Sequence, residues 1–87
     1  MKILAICGSG LGSSLMLSMN VQDVLKAIGR TDIEVEHSDL SSADSISADY
    51  IVCGKDIADA MRGKGNLIVL DSILSKQELR EKIEAVL

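Results

Sequence analysis

One stretch near the amino terminus decides the fold of this chain. It runs Lys2-Ile3-Leu4-Ala5-Ile6-Cys7-Gly8-Ser9-Gly10-Leu11-Gly12-Ser13-Ser14. The apolar run over residues 2–7 is followed by glycine, which is typical of a short strand buried on both faces. We predict a glycine-rich turn over residues 8–12 and a helix capped by Ser13 or Ser14. Apolar residues then recur at helical spacing over residues 17–28, so the stretch predicts a strand, a turn and a helix in succession.

Three more strands are predicted further along the chain. Residues 32–37 alternate polar and apolar side chains, which indicates a strand that is exposed on one face and lies at an edge of a sheet. Residues 49–53 form another buried apolar run, and residues 66–70 predict the fourth strand. The segment between the second and third strands is rich in serine and aspartate and is interpreted as a connection.

Helices separate these strands. Gly29 is a stop signal for the first helix, and residues 56–62 predict a short second helix that ends at Gly63. Ser75 is placed to cap the last helix, and Glu78, three residues later, would complete a capping box. The apolar face of that last helix is predicted to consist of Leu79, Ile83, Val86 and Leu87.

The alternation of strands and helices predicts a single α/β domain over residues 1–87, with a parallel sheet and right-handed crossovers. We predict four strands in the order 2-1-3-4, the flavodoxin-like type, flanked by helices. In such sheets the site lies outside the carboxyl ends of the strands, near the switch point beside the first strand. Cys7 and the glycine loop are expected there, together with the loops that start at Ser38, Gly54 and Asp71.

Composition narrows the classes of function. The chain has 87 residues, a net charge of -4 and a single aromatic residue, Tyr50. Because nucleic-acid binding needs clustered basic residues or aromatic platforms for the bases, we expect no nucleic-acid partner. No stretch approaches the roughly 20 apolar residues of a membrane span and no signal peptide is evident, so we expect a cytoplasmic protein. Cys7 and Cys53 are then expected to be thiols, without the spacing of a zinc site.

The loop after the first strand is suited to hold a phosphoryl group. Its glycines let successive N–H groups point inward as an anion-binding nest, and the helix that follows adds unpaired N–H groups and the positive end of its dipole. The same features favour a thiolate, so we expect a lowered pKa and a nucleophilic role for Cys7. The predicted phosphate-binding residues are Gly8, Ser9, Gly10, Leu11, Gly12, Ser13 and Ser14.

Three chemistries compete for this loop. A dinucleotide site has the spacing GxGxxG, whereas the chain has GxGxG and no room for a second nucleotide-binding half. A nucleoside triphosphate site needs a lysine after the last glycine, which is absent. A cysteine phosphatase needs an arginine six residues after its cysteine, where this chain has Ser13, and the chain has no proline for an Asp-Pro acid loop. Without these groups a phosphorylated Cys7 would be hydrolysed slowly, and a protein that holds a phosphoryl group without losing it to water is suited to be a phosphoryl carrier.

These features resemble the IIB component of the bacterial phosphotransferase system (PTS), of the lactose/ascorbate type and most closely its ascorbate branch. The resemblance rests on residues 2–21, on residues 36–40 (EHSDL) and on residues 50–54 (YIVCG), and it covers essentially the whole chain. It implies a fold similar to that of low-molecular-weight phosphatases. The loop carries the IIB resemblance, and the other two stretches carry the resemblance to the ascorbate branch.

The resemblance also implies a mechanism. Cys7 accepts a phosphoryl group from a phosphohistidine of a IIA protein and becomes phosphocysteine. The phosphoryl group then passes to a sugar bound by the membrane IIC component during uptake, and in the ascorbate branch this sugar is L-ascorbate. No cofactor and no metal are implied. A IIB-like regulatory module and a hydrolase similar to low-molecular-weight cysteine phosphatases stay open as alternatives.

Other residues near the predicted site each have two interpretations. Cys53 ends a buried strand and is interpreted as a packing residue, although a disulfide with Cys7 is conceivable. His37, the single histidine, is either a surface residue or an acid–base group at the end of the second strand. Three methionines, Met16, Met19 and Met61, are interpreted as core residues or partner-facing ones. If Met16 is exposed, it would form an apolar docking rim with Leu11.

Overall fold

The computed structural model describes residues 1–6, 11–38, 46–60, 66–72 and 75–87. Within these residues the chain alternates strands with helices, in the order β1 (Lys2–Ile6), α1 (Leu11–Ala27), β2 (Glu34–Ser38), β3 (Tyr50–Gly54), α2 (Lys55–Ala58), β4 (Asn66–Leu70) and α3 (Lys76–Val86). The predicted α/β class is confirmed, and the fourth strand has the predicted bounds.

The described strands form one parallel sheet in the order β2-β1-β3-β4, which confirms the predicted order and the edge position of the second strand. At the end of β1, Ile6 is in register with Ser38 of β2 and with Cys53 of β3. Gly54 of β3 is in register with Leu70 of β4. The carboxyl ends of the strands therefore meet at one edge of the sheet, as the crossovers of an alternating chain require.

Alternate side chains of the strands face two hydrophobic clusters, one on each side of the sheet. On the side of α1 and α3 the buried residues are Ile3, Ala5, Leu17, Val21, Val24, Leu25, Ile33, Val52, Ile68, Leu70, Leu79 and Ile83. On the side of α2 they are Leu4, Ile6, Ile51, Cys53 and Ile57. The two clusters explain why β1 and β3, which lie inside the sheet, read as continuous apolar runs.

The carboxyl end of α1 has the geometry predicted from its glycine. Gly29 has a φ of 80°, in the left-handed region that favours glycine. The Gly29 N–H donates to the Lys26 carbonyl (3.2 Å), and the Arg30 N–H donates to the Leu25 carbonyl (2.8 Å). These two bonds form a Schellman motif, which satisfies the last carbonyls of the helix and turns the chain toward β2.

Three predicted elements begin one or two residues away from their predicted start. The third strand begins at Tyr50 rather than at residue 49, because Asp49 precedes it and its carboxylate accepts a hydrogen bond from the Lys2 N–H (2.8 Å). The second strand begins at Glu34 rather than at residue 32, because Asp32 lies in a turn where its carboxylate pairs with Arg30 (3.3 Å).

α2 begins at Lys55 rather than at residue 56, because Gly54 is its N-cap and the strand leads directly into the helix. The predicted end of α2 at Arg62 is also wrong, because the helix ends at Ala58 and the chain closes in a turn where the Ala60 N–H donates to the Ile57 carbonyl (3.0 Å). Gly63, the predicted stop, lies outside the described residues.

The last helix confirms its predicted cap and corrects its predicted face. The hydroxyl of Ser75 accepts a hydrogen bond from the Glu78 N–H (3.2 Å), as an N-cap residue does. Val86 is 44% exposed, so its place in the buried face was predicted wrongly. The buried positions follow a spacing of four residues from Leu79 through Ile83, and this spacing continues at Leu87, which packs against the core.

Candidate functional site

The candidate site lies where β1 ends, between its two neighbours in the sheet. β1 ends at Ile6, and the next described residue is Leu11, the first residue of α1. From β1 the chain crosses to β2 on one side and later returns to β3 on the other side, so the end of β1 is the switch point of the sheet. Open α/β sheets bind their ligands in the crevice at this point.

The predicted nucleophile and three of the seven predicted loop residues lie outside the described residues. These are Cys7, Gly8, Ser9 and Gly10. The backbone of the other four predicted residues, Leu11 to Ser14, forms the first turn of α1. The prediction that the turn runs to Gly12 and that Ser13 or Ser14 caps the helix is therefore wrong. Glycine is compatible with a first helical turn as well as with a loop, so the sequence pattern alone does not place the start.

The first turn of α1 gives this edge of the sheet an excess of hydrogen-bond donors. The first N–H groups of a helix have no partner within the helix, and the dipole of a helix places partial positive charge at the same end. α1 is 17 residues long and has no acidic residue in its first turn to occupy those donors. The amino terminus of α1 is thus suited to an anion supplied from outside the helix.

An ion pair joins the ends of β3 and β4 at the same edge. Lys55 is the first residue of α2, and its Nζ lies 2.9 Å from the Oδ1 of Asp71, which follows β4. The hydrogen bond from Lys55 to Asp71, reinforced by the charge of that carboxylate, raises the pKa of Lys55. Both side chains are mostly exposed, so the pair contributes little to the free energy of unfolding and is easily exchanged for another ionic contact.

Glu78 fixes the turn that carries Asp71. Its carboxylate accepts hydrogen bonds from the N–H groups of Asp71 (2.7 Å) and Ser72 (3.0 Å), and it pairs with Lys82 (3.2 Å). The hydrogen bond from the Asp71 N–H, followed by the one from Ser72, lowers the pKa of Glu78 to about 2. Glu78 therefore binds the preceding turn instead of reaching back to the N–H of Ser75, and the predicted capping box is only half formed. The Ser75 N–H donates to the Ser72 carbonyl.

We expect Glu78→Gln to lower the midpoint of urea unfolding at pH 7. A carboxyl whose pKa is lowered on folding stabilises the folded state fully above its unfolded value, near 4.5, and this contribution is lost as the pH falls toward about 2. The difference between wild type and Glu78→Gln should therefore shrink below pH 4.5. Circular dichroism during urea unfolding, from pH 7 to pH 3.5, measures it. The control is Glu84→Gln, which removes a mostly exposed pair with Arg80. An unchanged difference at pH 3.5 would contradict the role of Glu78.

Comparison of the sequence with models of known protein families gives a match that includes every strand that forms this edge. A family model described as "PTS system, Lactose/Cellobiose specific IIB subunit" matches residues 2–85. The chain belongs to the PTS IIB family. It is a phosphocarrier component of a sugar PTS, and IIB components act with IIA and IIC components. No curated protein matches the chain.

In this IIB component the second cysteine is a core residue. The Cys53 side chain is fully buried and packs with Leu4, Ile6, Ile51 and Ile57 in the cluster beneath α2. The interpretation of Cys53 as a packing residue is confirmed. His37 is exposed and pairs in register with Ala5, one residue before the end of β2. Its position at the predicted edge is confirmed, and its chemical role stays a prediction.

The structure rules out one of the two interpretations, a core position, for the methionines on α1 of the IIB component, whereas Met61 lies outside the described residues. Met16 is 52% exposed and Met19 is 55% exposed, so neither is a core residue. Leu15, which the sequence did not single out, is 47% exposed beside them. A helical wheel of α1 would have predicted this exposure. The buried stripe of the helix includes Leu17 and Val21, and these three side chains lie outside it.

Two other features of the IIB component concern ligands and membranes. In the described part of the chain no group of three His, Cys, Asp or Glu side chains is arranged to hold a metal ion. Each helix among the described residues is too short or too polar to cross a membrane. Among the described residues, the groups at the candidate site are the backbone N–H groups at the start of α1 and the ion pair between Lys55 and Asp71.

Proposed function

We propose that residues 1–87 act as a IIB domain in which Cys7 carries the phosphoryl group, from a phosphohistidine of IIA to a sugar held by the membrane IIC component. One observation carries the proposal. β1 ends at Ile6, at the switch point of the sheet, and α1 begins at Leu11, so Cys7 directly follows the central strand in the sequence and precedes a helix amino terminus by four residues. We place this exchange in the cytoplasm, and the proposal needs neither a metal nor a cofactor.

The proposed chemistry consists of two balanced displacements at phosphorus. In the first, the Cys7 thiolate attacks the phosphoryl group, a P–S bond forms, the P–N bond breaks and the IIA histidine leaves. In the second, a sugar hydroxyl gives its proton to water or to a base of IIC and attacks, a P–O bond forms, and the P–S bond breaks to restore the thiolate. N–H groups of the first turn of α1 support both steps, since they stabilise the thiolate and the phosphoryl oxygens alike.

The absence of an arginine six residues after Cys7 supports a carrier over a hydrolase, because cysteine phosphatases have an arginine at that position. That position is Ser13, whose backbone is in the first turn of α1, and the chain has no proline for an Asp-Pro acid loop. An arginine would clamp the phosphoryl oxygens in the transition state of hydrolysis. Its absence favours a phosphocysteine that survives until a second partner arrives.

Mass spectrometry of the phosphorylated chain tests the carrier. After incubation with phosphoenolpyruvate, the general phosphotransfer proteins and the cognate IIA, the chain should gain one phosphoryl group that maps to Cys7. The adduct should persist after IIA is removed. If the phosphoryl group mapped to His37, or if no IIA phosphorylated the chain, the proposal would fail. Rapid release of phosphate from an aryl phosphate would favour the phosphatase instead.

We further propose L-ascorbate as the sugar. Residues 36–40 and 50–54 support this choice, since they resemble the ascorbate branch and include the ends of the two strands beside β1. Membrane vesicles that contain the cognate IIC, supplied with phosphorylated protein, should phosphorylate L-ascorbate and leave lactose and cellobiose unmodified. Phosphorylation of lactose or cellobiose in place of L-ascorbate would overturn the choice of sugar and leave the role of Cys7 intact.

A further inference from the structure

Three exposed apolar side chains lie together near the start of α1. They are Leu15, Met16 and Met19, with exposed fractions of 47%, 52% and 55%, and we call them the α1 patch. Among the described residues, the other large apolar side chains with comparable exposure are Met1 and Val86, which lie elsewhere in the chain. The α1 patch takes no part in the core, so the fold does not account for its apolar character.

The α1 patch lies in a long stretch without charge. The chain has 9 basic and 13 acidic residues, and none of them falls within residues 3–22. This stretch includes all of β1 except Lys2 and slightly more than the first three turns of α1. Contiguous exposed apolar side chains beside a functional site mark a surface for a partner, and methionine adapts its shape to several surfaces.

The α1 patch is close enough to the candidate site to be covered by whatever docks there. With a rise of 1.5 Å per residue, Leu15 lies about 6 Å and Met19 about 12 Å along the axis from Leu11. A transient interface of about 600 Å² per partner has a radius of roughly 14 Å. A protein centred on the amino terminus of α1 would therefore contact all three side chains.

We propose that the α1 patch is the docking surface for the phosphoryl donor, a IIA protein that presents an apolar surface around its phosphohistidine. This inference rests on the proposed function. The donor is the partner that brings the phosphoryl charge to an unmodified chain of net charge -4. Residues 3–22 contain no acidic residue. A phosphorylated IIA that docks on an apolar surface there therefore meets no repulsion between its phosphoryl group and nearby carboxylates of this stretch.

The test compares charged substitutions on two exposed apolar surfaces. Met16→Lys and Met19→Lys should each weaken the binding of the cognate IIA about tenfold, measured by calorimetric titration, because a lysine would be desolvated at the contact. They should raise the KM for phosphorylated IIA and leave kcat close to that of wild type. Val86→Lys, on α3, is the matched control and should bind as wild type does. Alkylation of Cys7 by iodoacetamide should proceed at the same rate in all four proteins.

The outcomes separate the docking surface from the chemistry of Cys7. Equal binding of IIA by Met19→Lys and Val86→Lys would overturn the docking proposal, even if Cys7 is phosphorylated normally. Normal binding of IIA combined with slower transfer to the sugar would assign the α1 patch to IIC and would also overturn it. Failure of the proposed function gives a different result, in which IIA binds the wild type and Cys7 gains no phosphoryl group.

Discussion

Cys7→Ser is expected to abolish phosphoryl transfer from IIA and sugar phosphorylation through IIC. A serine hydroxyl is not ionised near neutral pH, so it is a much poorer nucleophile than a thiolate. We expect a loss of at least about 10⁴-fold, the scale on which enzymes lose activity when their nucleophile is removed. Quenched-flow transfer from phosphorylated IIA measures the first step, and vesicles that contain IIC measure the second.

Cys53→Ala is the matched control for Cys7→Ser. It removes the other thiol of the chain, which is fully buried beneath α2 beside the end of β1. We expect a cost of about 1 kcal/mol in the free energy of unfolding, as is usual for a single core substitution, and transfer rates near those of wild type. Transfer by Cys7→Ser at a rate within tenfold of wild type would refute the assignment of the nucleophile.

Leu17→Ala is expected to lower the free energy of unfolding by about 3 kcal/mol. Leu17 is 1% exposed and packs in the larger cluster between the sheet and α1, so truncation leaves a cavity in addition to the loss of buried surface. A domain of this size has a total of roughly 4–13 kcal/mol, so the variant should lose a large part of its stability. Urea unfolding followed by circular dichroism at 222 nm measures the loss.

Leu15→Ala is the control for Leu17→Ala, since it makes the same change two residues earlier in the same helix at a side chain that is 47% exposed. The free energy of unfolding should change by less than about 0.5 kcal/mol. Equal losses in the two variants would mean that the buried face of α1 is assigned wrongly. The pair also separates folding from docking, because Leu15→Ala removes part of the α1 patch without disturbing the core.

The fold was predictable because the signals that define it are local and repeated. β1 and β3 read as continuous apolar runs because both of their faces meet hydrophobic clusters, and the alternation with helices leaves a parallel sheet as the outcome. The end of α1 at Gly29 was predictable for the same reason. Glycine adopts the left-handed conformation that ends a helix more readily than other residues do, so its position in the sequence marks the end. These features need no knowledge of distant contacts.

The errors arose where a distant contact or an ambiguous residue decides the outcome. Glu78 follows Ser75 at the spacing of a capping box, yet the N–H groups of the turn after β4 take its carboxylate, and only the tertiary structure brings that turn close. Gly12 is compatible with a loop or a helix, so the start of α1 was predicted too late. The exposure of Met19 depends on which side of α1 packs on the sheet, which the sequence of the helix alone left open. The role of Cys7 stays a prediction until its phosphorylation is measured.

The position of β1 inside the sheet has a consequence for how the molecule opens. Both edges of β1 are hydrogen-bonded to neighbouring strands, and its residues from Ile3 to Ile6 are fully buried. Amide hydrogens in such a strand exchange with solvent only when the whole domain unfolds, whereas edge strands and helix ends exchange through local openings. The strand that leads into Cys7 is thus expected to be among the last parts of the protein to open, so repeated encounters with partners leave the base of the loop undisturbed.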